Sequence, residues 1–235
     1  MSIVKEYLSN IELGSIKTYE NMTTVAFKGL NFSEIAYMTL NEAMNKDLIK
    51  ITEIDEMGYV PSLKVNNKAN IPVLLFDGEE LKGAKQNRVL NTTILIPEDS
   101  EHVIPVSCTE QGRWDYVSPK FEATETIASS SLRRNKNQAV TDSLIRKDSY
   151  RSNQGEVWNE VDNLQCSYGV DSVTSAMNDV FEAKKDSLND YIKEFPFYNQ
   201  NGILIFINGE LKGMEFLSTE DNYEKYHEKL LKAIL

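Results

Sequence analysis

Amide, cationic and acidic side chains crowd into residues 79–91, EELKGAKQNRVLN. Arginine presents a planar fork of N–H donors that suits phosphate or carboxylate, and asparagine and glutamine each offer a donor and an acceptor. This combination suits an anionic ligand that also forms hydrogen bonds, such as a nucleotide or a sugar phosphate. It also suits a buried network that only fixes a sheet, or a solvated surface. The segment supplies four candidate ligand-binding residues, Gln86, Asn87, Arg88 and Asn91.

Two further segments carry side chains of the same kind. In CTEQGRWDY (108–116), Arg113 is suited to hold an anion while the ring of Trp114 stacks on a planar base, although tryptophan is more often a core residue. In SNQGEVW (152–158), a predicted helix begins next to Gln154 and offers free backbone N–H groups. We add Arg113, Trp114 and Gln154 to the candidate ligand-binding residues.

Glu80 and Glu110 are the candidate general bases if the protein is an enzyme. Cys108 is a weaker candidate nucleophile. The nearest histidine, His102, lies six residues away along an extended strand, which is about 20 Å. We therefore interpret Cys108 as a small buried side chain without an activating base.

Composition and charge exclude several classes of protein. The chain has 235 residues, 41% of them hydrophobic, which is enough to bury a core. A net charge of −11 argues against nonspecific nucleic-acid binding. The first residues lack a signal-peptide pattern, and no apolar run approaches the roughly 20 residues of a membrane span. We expect a cytoplasmic protein with neither a nucleic-acid nor a membrane partner. The two cysteines and two histidines are too dispersed for a metal site, so we predict no metal and no cofactor.

The elements that must position these residues are strands in the first half of the chain. Short connections between the strand-like runs favour antiparallel pairing. Thr39 and Glu42 form a T-x-x-E pattern that predicts a short helix from Leu40. The predicted strands are 22–29, 48–54, 63–67, 71–77, 88–97 and 102–110.

Helical patterns follow. Apolar stripes at helical spacing occupy 153–166 and 174–194, and Ser218 with Asp221 predicts the cap of a C-terminal helix. We therefore predict a single α+β domain, with largely antiparallel sheets from the N-terminal half and a C-terminal hairpin, packed with helices from the second half. Its predicted sections are strand-rich 1–118, helix-rich 119–200, and a hairpin plus helix over 201–235.

An internal repeat relates two segments at an offset of 130 residues, LLFDGEELKGAK (74–85) and LIFINGELKGME (204–215). Each contains Asp-Gly or Asn-Gly, the dipeptides typical of two-residue hairpin turns. We therefore predict a hairpin at both places. Only the first copy continues into a segment rich in amides and cations, which indicates a role there beyond the turn.

The motifs IPVLLFDGEELKGAKQNRVLN, IPVSCTEQGRW, SNQGEVW and GILIFINGELKGMEF occur in this order. Together they resemble the bacterial ARG (ADP-ribosylglycohydrolase) and rhodanese-phosphatase-superfamily-associated domain family, over roughly residue 37 to the C-terminal helix. The resemblance implies a domain of unknown function whose family name records an association with ADP-ribose and phosphate chemistry. It assigns a catalytic role to no residue.

Three functional interpretations follow. The first is a cytoplasmic protein that binds an ADP-ribose-like or other nucleotide-derived anionic ligand, and hydrolyses it if the protein is an enzyme. The second is a non-catalytic ligand sensor or protein-interaction module, with a protein partner or a homo-oligomer left open. The third is a structural domain without a ligand, in which the polar groups are buried and paired with one another.

Overall fold

A computed structural model describes residues 3–29, 35–146 and 149–233. The chain forms two compact units. We call Met1–Ile35 together with Lys185–Ile234 the terminal unit, and Ala36–Lys184 the central unit. The single domain predicted over 1–235 stays a prediction, because compactness alone does not establish whether the two units unfold together.

The described residues contain seven helices and thirteen strands. The helices are α1 (Ile3–Ser9), α2 (Leu40–Asn45), α3 (Ser130–Ile145), α4 (Gln154–Tyr168), α5 (Met177–Ala183), α6 (Lys185–Glu194) and α7 (Glu220–Lys232). The strands are β1 (Glu12–Tyr19), β2 (Met22–Lys28), β3 (Met38–Thr39), β4 (Ile49–Thr52), β5 (Ser62–Asn67), β6 (Val73–Leu75), β7 (Glu79–Gly83), β8 (Arg88–Leu90), β9 (Ile94–Ile96), β10 (Ser100–Cys108), β11 (Phe121–Ile127), β12 (Gly202–Ile207) and β13 (Glu210–Phe216). None of the helices among these residues is long and apolar enough to cross a membrane.

The terminal unit contains one four-stranded antiparallel sheet in the order β1-β2-β12-β13. Asn208 and Gly209 both have positive φ, at 52° and 79°, and close the predicted hairpin between β12 and β13. This is the backbone that Asn-Gly favours in a two-residue hairpin. The predicted C-terminal helix is α7, but its cap is Thr219, whose side chain accepts the backbone N–H of Asn222, rather than Ser218.

The central unit contains a six-stranded sheet in the order β11-β7-β8-β10-β5-β4 and a three-stranded sheet in the order β3-β6-β9. All of these pairs are antiparallel except β3 with β6. Apolar side chains from both sheets and from α2 form one buried cluster that includes Leu63, Leu75, Leu81 and Leu90. The predicted α+β class with largely antiparallel sheets is confirmed, as is the capping box of α2.

The hairpin predicted at Asp77-Gly78 does not form. Strand β6 pairs with β3 and β9, whereas β7 pairs with β8 and β11. Gly78 has a φ of +84°, but Asp77 is absent from the positive-φ residues. A turn with only its second central residue at positive φ has the wrong twist for a tight hairpin, so the flanking strands diverge. The hairpin at this place joins β7 to β8 instead, through residues 84–87.

Candidate functional site

Three neighbouring strands, β7, β8 and β10, bring the two main polar segments of the sequence together. Arg88 pairs with Cys108 on one side and with Leu81 on the other. Directly opposed residues of a sheet project to the same face, so the side chains of Arg88 and Cys108 share a face. Glu80 pairs with Val89 and therefore projects to the opposite face.

A salt bridge between Glu110 and Arg113 holds the loop between β7 and β8. Nε and Nη2 of Arg113 donate to the two carboxylate oxygens of Glu110 at 2.8 and 2.6 Å. Nη1 donates to the carbonyl oxygens of Ala84 at 2.7 Å and Asp115 at 2.9 Å. The donors of Arg113 are thus used within the chain, and this guanidinium fixes the backbone of the loop.

The carboxylate of Glu110 accepts two further hydrogen bonds, from Thr174 Oγ1 at 2.8 Å and from the backbone N–H of Asn87 at 3.0 Å. Burial opposes ionisation of Glu110, but the hydrogen bonds from Arg113, Asn87 and Thr174 outweigh it and lower the pKa of the carboxyl group. Glu110 is therefore a saturated acceptor at neutral pH.

The amide side chains of Gln86 and Asn87 complete the same network. Gln86 Nε2 donates to the carbonyl oxygen of Glu110 at 3.0 Å, and Gln86 Oε1 accepts from Arg88 Nη1 at 3.0 Å. Asn87 Oδ1 accepts from the backbone N–H of Gly83 at 3.1 Å. Gln86 and Asn87 are buried, and Gln86 orients the guanidinium of Arg88.

Arg88 is fully buried, at 0% exposure. Its Nε and Nη2 have no hydrogen-bond acceptor among the residues that the structure describes. These are the two nitrogens of the guanidinium's side-on fork, the same pair that Arg113 directs at a carboxylate. Burial lowers the pKa of Arg88, an effect that the nearby Cys108 and Glu53 oppose, yet an arginine remains charged.

Trp114 lies beside this arginine. The Arg88 guanidinium carbon is 5.6 Å from the centroid of the Trp114 ring, and Trp114 is 41% exposed. Lys85 Nζ is 5.3 Å from the same ring and 5.0 Å from the ring of Tyr116, and it donates to the carbonyl oxygen of Met57 at 2.8 Å. Arg88, Lys85 and Trp114 therefore combine two cations with a partly exposed aromatic residue.

Glu53 is a member of this cluster that sequence reasoning missed. It follows β4 directly, and its Oε1 is 3.6 Å from Arg88 Nη2. The residue is 7% exposed, and neither carboxylate oxygen has a hydrogen-bond donor within the described chain. A signal was available, since Ile49, Ile51 and Glu53 alternate on one face and both isoleucines are buried. A charged residue at the next buried position of that alternation marks an unusual site.

Cys108 is buried, as expected, and its thiol donates to the carbonyl oxygen of Glu110 at 3.3 Å. Burial raises the pKa of this thiol, although Arg88 and the indole N–H of Trp158 act in the opposite direction. The pKa shift favours the neutral thiol, which is the unreactive form.

Gln154 and Asn91 hold the helices against the sheet. Gln154 accepts the backbone N–H of Cys108 and donates to its carbonyl oxygen, both at 2.8 Å. Asn91 accepts from Ser107 Oγ at 2.7 Å and donates to the carbonyl oxygen of Tyr150 at 3.0 Å. Both amides thus bond within the chain at both ends, and Gln154 also lines an open polar groove of about 910 Å³ between α3 and α4.

Glu80 is fully buried on the other face of the sheet. Its Oε1 accepts from Thr109 Oγ1 at 2.8 Å, and its Oε2 has no partner among the described residues. Burial raises the pKa of Glu80 to about 8, against a usual value of 4.5, because the bond from Thr109 compensates only part of the lost hydration. Glu80 is therefore a neutral acid at pH 7.

A separate cluster of buried charges fixes α3. Lys136 Nζ contacts Asp77 Oδ1 closely and donates to the carbonyl oxygen of Asn91 at 2.9 Å. Asp77 Oδ2 accepts from Asn137 at 2.9 Å and from Arg133 Nε at 3.3 Å. Every charge in this cluster has an opposite charge or an amide beside it, so we infer that the cluster stabilises the packing of α3. Among the residues described, no group of three or more His, Cys, Asp or Glu side chains is arranged to hold a metal ion.

The family model of the ARG and Rhodanese-Phosphatase-superfamily-associated Protein domain, ARPP-1, matches residues 10–235. The chain therefore belongs to this family, and the resemblance read from its motifs is confirmed. No curated protein and no solved structure matches the chain.

Proposed function

We propose that this ARPP-1 domain binds an anionic, nucleotide-derived ligand such as ADP-ribose at Arg88 and Trp114. The observation that carries the proposal is the side-on fork of Arg88. Its Nε and Nη2 are buried and have no acceptor within the described chain, whereas a buried N–H group is nearly always hydrogen-bonded. A phosphate oxygen pair has the geometry to accept from both nitrogens.

The two arginines of the network differ in how their forks are used. Nε and Nη2 of Arg113 donate to Glu110 at 2.8 and 2.6 Å. Arg113 therefore contributes by shaping the loop around Arg88, and Arg88 is the arginine that offers donors to a ligand. Gln86 supports this role, since its bond to Nη1 holds the guanidinium in place while Nε and Nη2 stay unbonded within the described chain.

Trp114 supplies the second half of the proposed contact. Its ring is partly exposed and lies 5.6 Å from the Arg88 guanidinium, so a base stacked on the ring would place an attached phosphate near the cation. Lys85, at 5.3 Å from the same ring, adds positive charge at the rim. Stacking on an aromatic face is worth about 1–3 kcal/mol per base.

Segment 54–59 is largely exposed and is bonded to Lys85 and Tyr116, and we propose that it moves to admit the ligand to Arg88. Three side-chain hydrogen bonds from described residues outside it hold this segment. Lys85 donates to the carbonyl oxygen of Met57 at 2.8 Å, Tyr116 to that of Asp55 at 3.4 Å, and Arg151 to the hydroxyl of Tyr59 at 3.0 Å. Exposed bonds of this kind are individually weak, so their opening is compatible with ligand entry.

The arrangement favours binding over hydrolysis. A general base needs a free carboxylate within reach of the ligand. Glu110 already accepts from Arg113, Thr174 and the backbone of Asn87, and Glu80 is a neutral acid on the opposite face of the sheet. The catalytic role predicted for these two glutamates thus stays a prediction, and we propose binding without hydrolysis.

Titration calorimetry of the full chain with ADP-ribose and with ADP tests the proposal. We expect saturable binding, a loss of about 5- to 150-fold in affinity for Trp114→Ala, and a loss for Arg88→Lys, which keeps the charge but not the planar pair of donors. Arg134→Ala removes an exposed cation of α3 and serves as the matched control. The absence of saturable heat with both ligands, or full affinity in both variants, would refute the proposal.

A further inference from the structure

Glu53 presents a second unusual group beside the Arg88 fork. Its side chain is only 3% exposed, and both of its oxygens lack a donor within the described chain. Arg88 Nη2 and Glu53 Oε1 form an ion pair at 3.6 Å, a separation longer than a hydrogen bond. A buried carboxylate that accepts no hydrogen bond is costly, and a ligand that supplied donors would remove the cost.

The position of Glu53 restricts which anion can bind at Arg88. A phosphate on the fork would lie close to the Glu53 carboxylate, and two negative charges repel one another. The repulsion is offset only if the ligand turns O–H or N–H donors toward Glu53 while its anionic oxygens face Arg88. The ligand must therefore carry donors near its anionic group.

We infer that Glu53 binds the vicinal hydroxyls of a ribose, so that the site selects ribonucleotides over deoxyribonucleotides. A carboxylate has two acceptor oxygens side by side, and the 2′- and 3′-hydroxyls of ribose are two adjacent donors that match them. Acidic side chains perform this task in dinucleotide-binding folds. The inference rests on the proposed function and adds to it the sugar that the site requires.

The position of Glu53 in the chain fits this role. It follows β4, which the sheet holds in place through β5, and it precedes the exposed segment 54–59. If that segment moves when a ligand enters, the backbone of Glu53 therefore stays attached to strand β4. The carboxylate is held by a rigid element, as a specificity-determining group should be.

The test compares ADP with 2′,3′-dideoxy-ADP by calorimetry on the full chain. We expect wild-type protein to bind ADP at least about 10-fold more tightly, since the dideoxy compound leaves both oxygens of Glu53 without donors. Glu53→Gln is expected to bring this ratio close to one. Glu56→Gln, which changes an exposed glutamate of the same segment, is expected to keep the wild-type ratio.

The outcomes separate the inference from the proposed function. If ADP binds and dideoxy-ADP binds equally well, or if Glu53→Gln keeps the wild-type ratio, the inference is overturned and the binding proposal stands. If neither ADP nor ADP-ribose binds, both are overturned. Should Glu53→Gln fail to fold, Glu53→Asp replaces it; this shorter carboxylate is expected to lower the ratio, and an unchanged ratio would overturn the inference.

Discussion

Replacing Glu80 by glutamine removes a carboxyl group that titrates inside the folded central unit. The side chain is fully buried, and Thr109 is the residue that donates to it, at 2.8 Å. Burial raises the pKa of Glu80 to about 8 from a usual 4.5, and the neighbouring charges of Glu110 and Asp179 act in the same direction, while Lys82 opposes them. Glutamine has nearly the same shape and keeps an acceptor for Thr109, but it cannot ionise.

The sign and the size of the effect follow from this pKa difference. Between pH 4.5 and about pH 8 the unfolded chain has released the proton of Glu80 and the native chain still holds it. The free energy of unfolding therefore falls by about 1.4 kcal/mol for each pH unit in this window. Below pH 4.5 the protonated Glu80 makes its full contribution to the free energy of unfolding. At pH 7 this contribution is smaller by about 3 kcal/mol. Above pH 8 the loss in the free energy of unfolding reaches about 5 kcal/mol.

Urea unfolding followed by tryptophan fluorescence measures this quantity, because both tryptophans, Trp114 and Trp158, lie in the central unit. We expect the wild-type free energy of unfolding to decrease from about pH 5 to about pH 8, relative to Glu80→Gln. Glu122→Gln, which alters an exposed glutamate on the adjacent β11, is expected to run parallel to the wild type.

Parallel pH profiles for the wild type and Glu80→Gln would refute the reasoning. They would mean that the carboxyl group has the same pKa in the folded and unfolded chains, so that burial on this face of the sheet does not raise it. A profile that rises with pH relative to the variant would mean a lowered pKa in the folded state, the reverse of the expected sign.

Two further predictions concern buried basic side chains. Lys136→Met leaves Asp77 with one positive neighbour fewer, and we expect the central unit to lose about 3 kcal/mol in urea unfolding at pH 7; a loss below about 1 kcal/mol would contradict the structural role of the pair. Burial also lowers the pKa of His227 below its usual 6.5, so the terminal unit is expected to lose stability as the pH falls below that value. In a proton NMR titration, the imidazole signal that His227→Gln removes should then titrate below pH 6.5, and a midpoint above it would show that the charged form is favoured.

The elements that sequence reasoning predicted are those with local signals. The capping box of Thr39 and Glu42 and the Asn208-Gly209 hairpin each depend on residues that are close in sequence, and both form as expected. The prediction of a hairpin at Asp77-Gly78 was wrong because this dipeptide also fits a turn after which the strands diverge. The pairing of β6 with β3 and β9 selects that turn. The predicted strand 88–97 is in fact two strands, β8 and β9, in different sheets.

The strands that were missed lack such signals. Strand β1 is mostly exposed on both faces, so its residues do not alternate between apolar and polar. Strand β11 reads FEATETI, in which two glutamates interrupt the apolar pattern. The apolar stripe predicted over 174–194 lies on two helices, α5 and α6, and its residues on α6, Leu188 and Tyr191, are only half-buried. Strands β1 and β11 lie at the edges of their sheets. Whether an edge segment forms a strand depends on pairing with a strand that is distant in sequence, and local residue patterns do not reveal that pairing.

The roles within the candidate site depend on partners that are distant in sequence. Residue type alone suggested that Gln154 was free to meet a ligand, whereas its amide is bonded to the backbone of Cys108, 46 positions away. Arg113 was expected to hold phosphate, and it forms a salt bridge with Glu110. Glu53 was missed although its burial was visible in the alternation of β4. Local chemistry thus identified the segments that meet, and long-range geometry assigned their side chains.

The terminal unit is built from two stretches of chain that the central unit separates in sequence, so its sheet cannot be completed until late in synthesis. Strand β2 pairs with β12 in a register that joins Phe27 to Gly202, so the sheet needs residues that the ribosome adds some 175 positions apart. The central unit is one continuous stretch, Ala36–Lys184, and can begin to fold as soon as that stretch has emerged. Until β12 is made, the nascent hairpin of β1 and β2 presents an unpaired edge with Val25 and Phe27 uncovered. Such an edge is a target for chaperones and a risk for aggregation during translation.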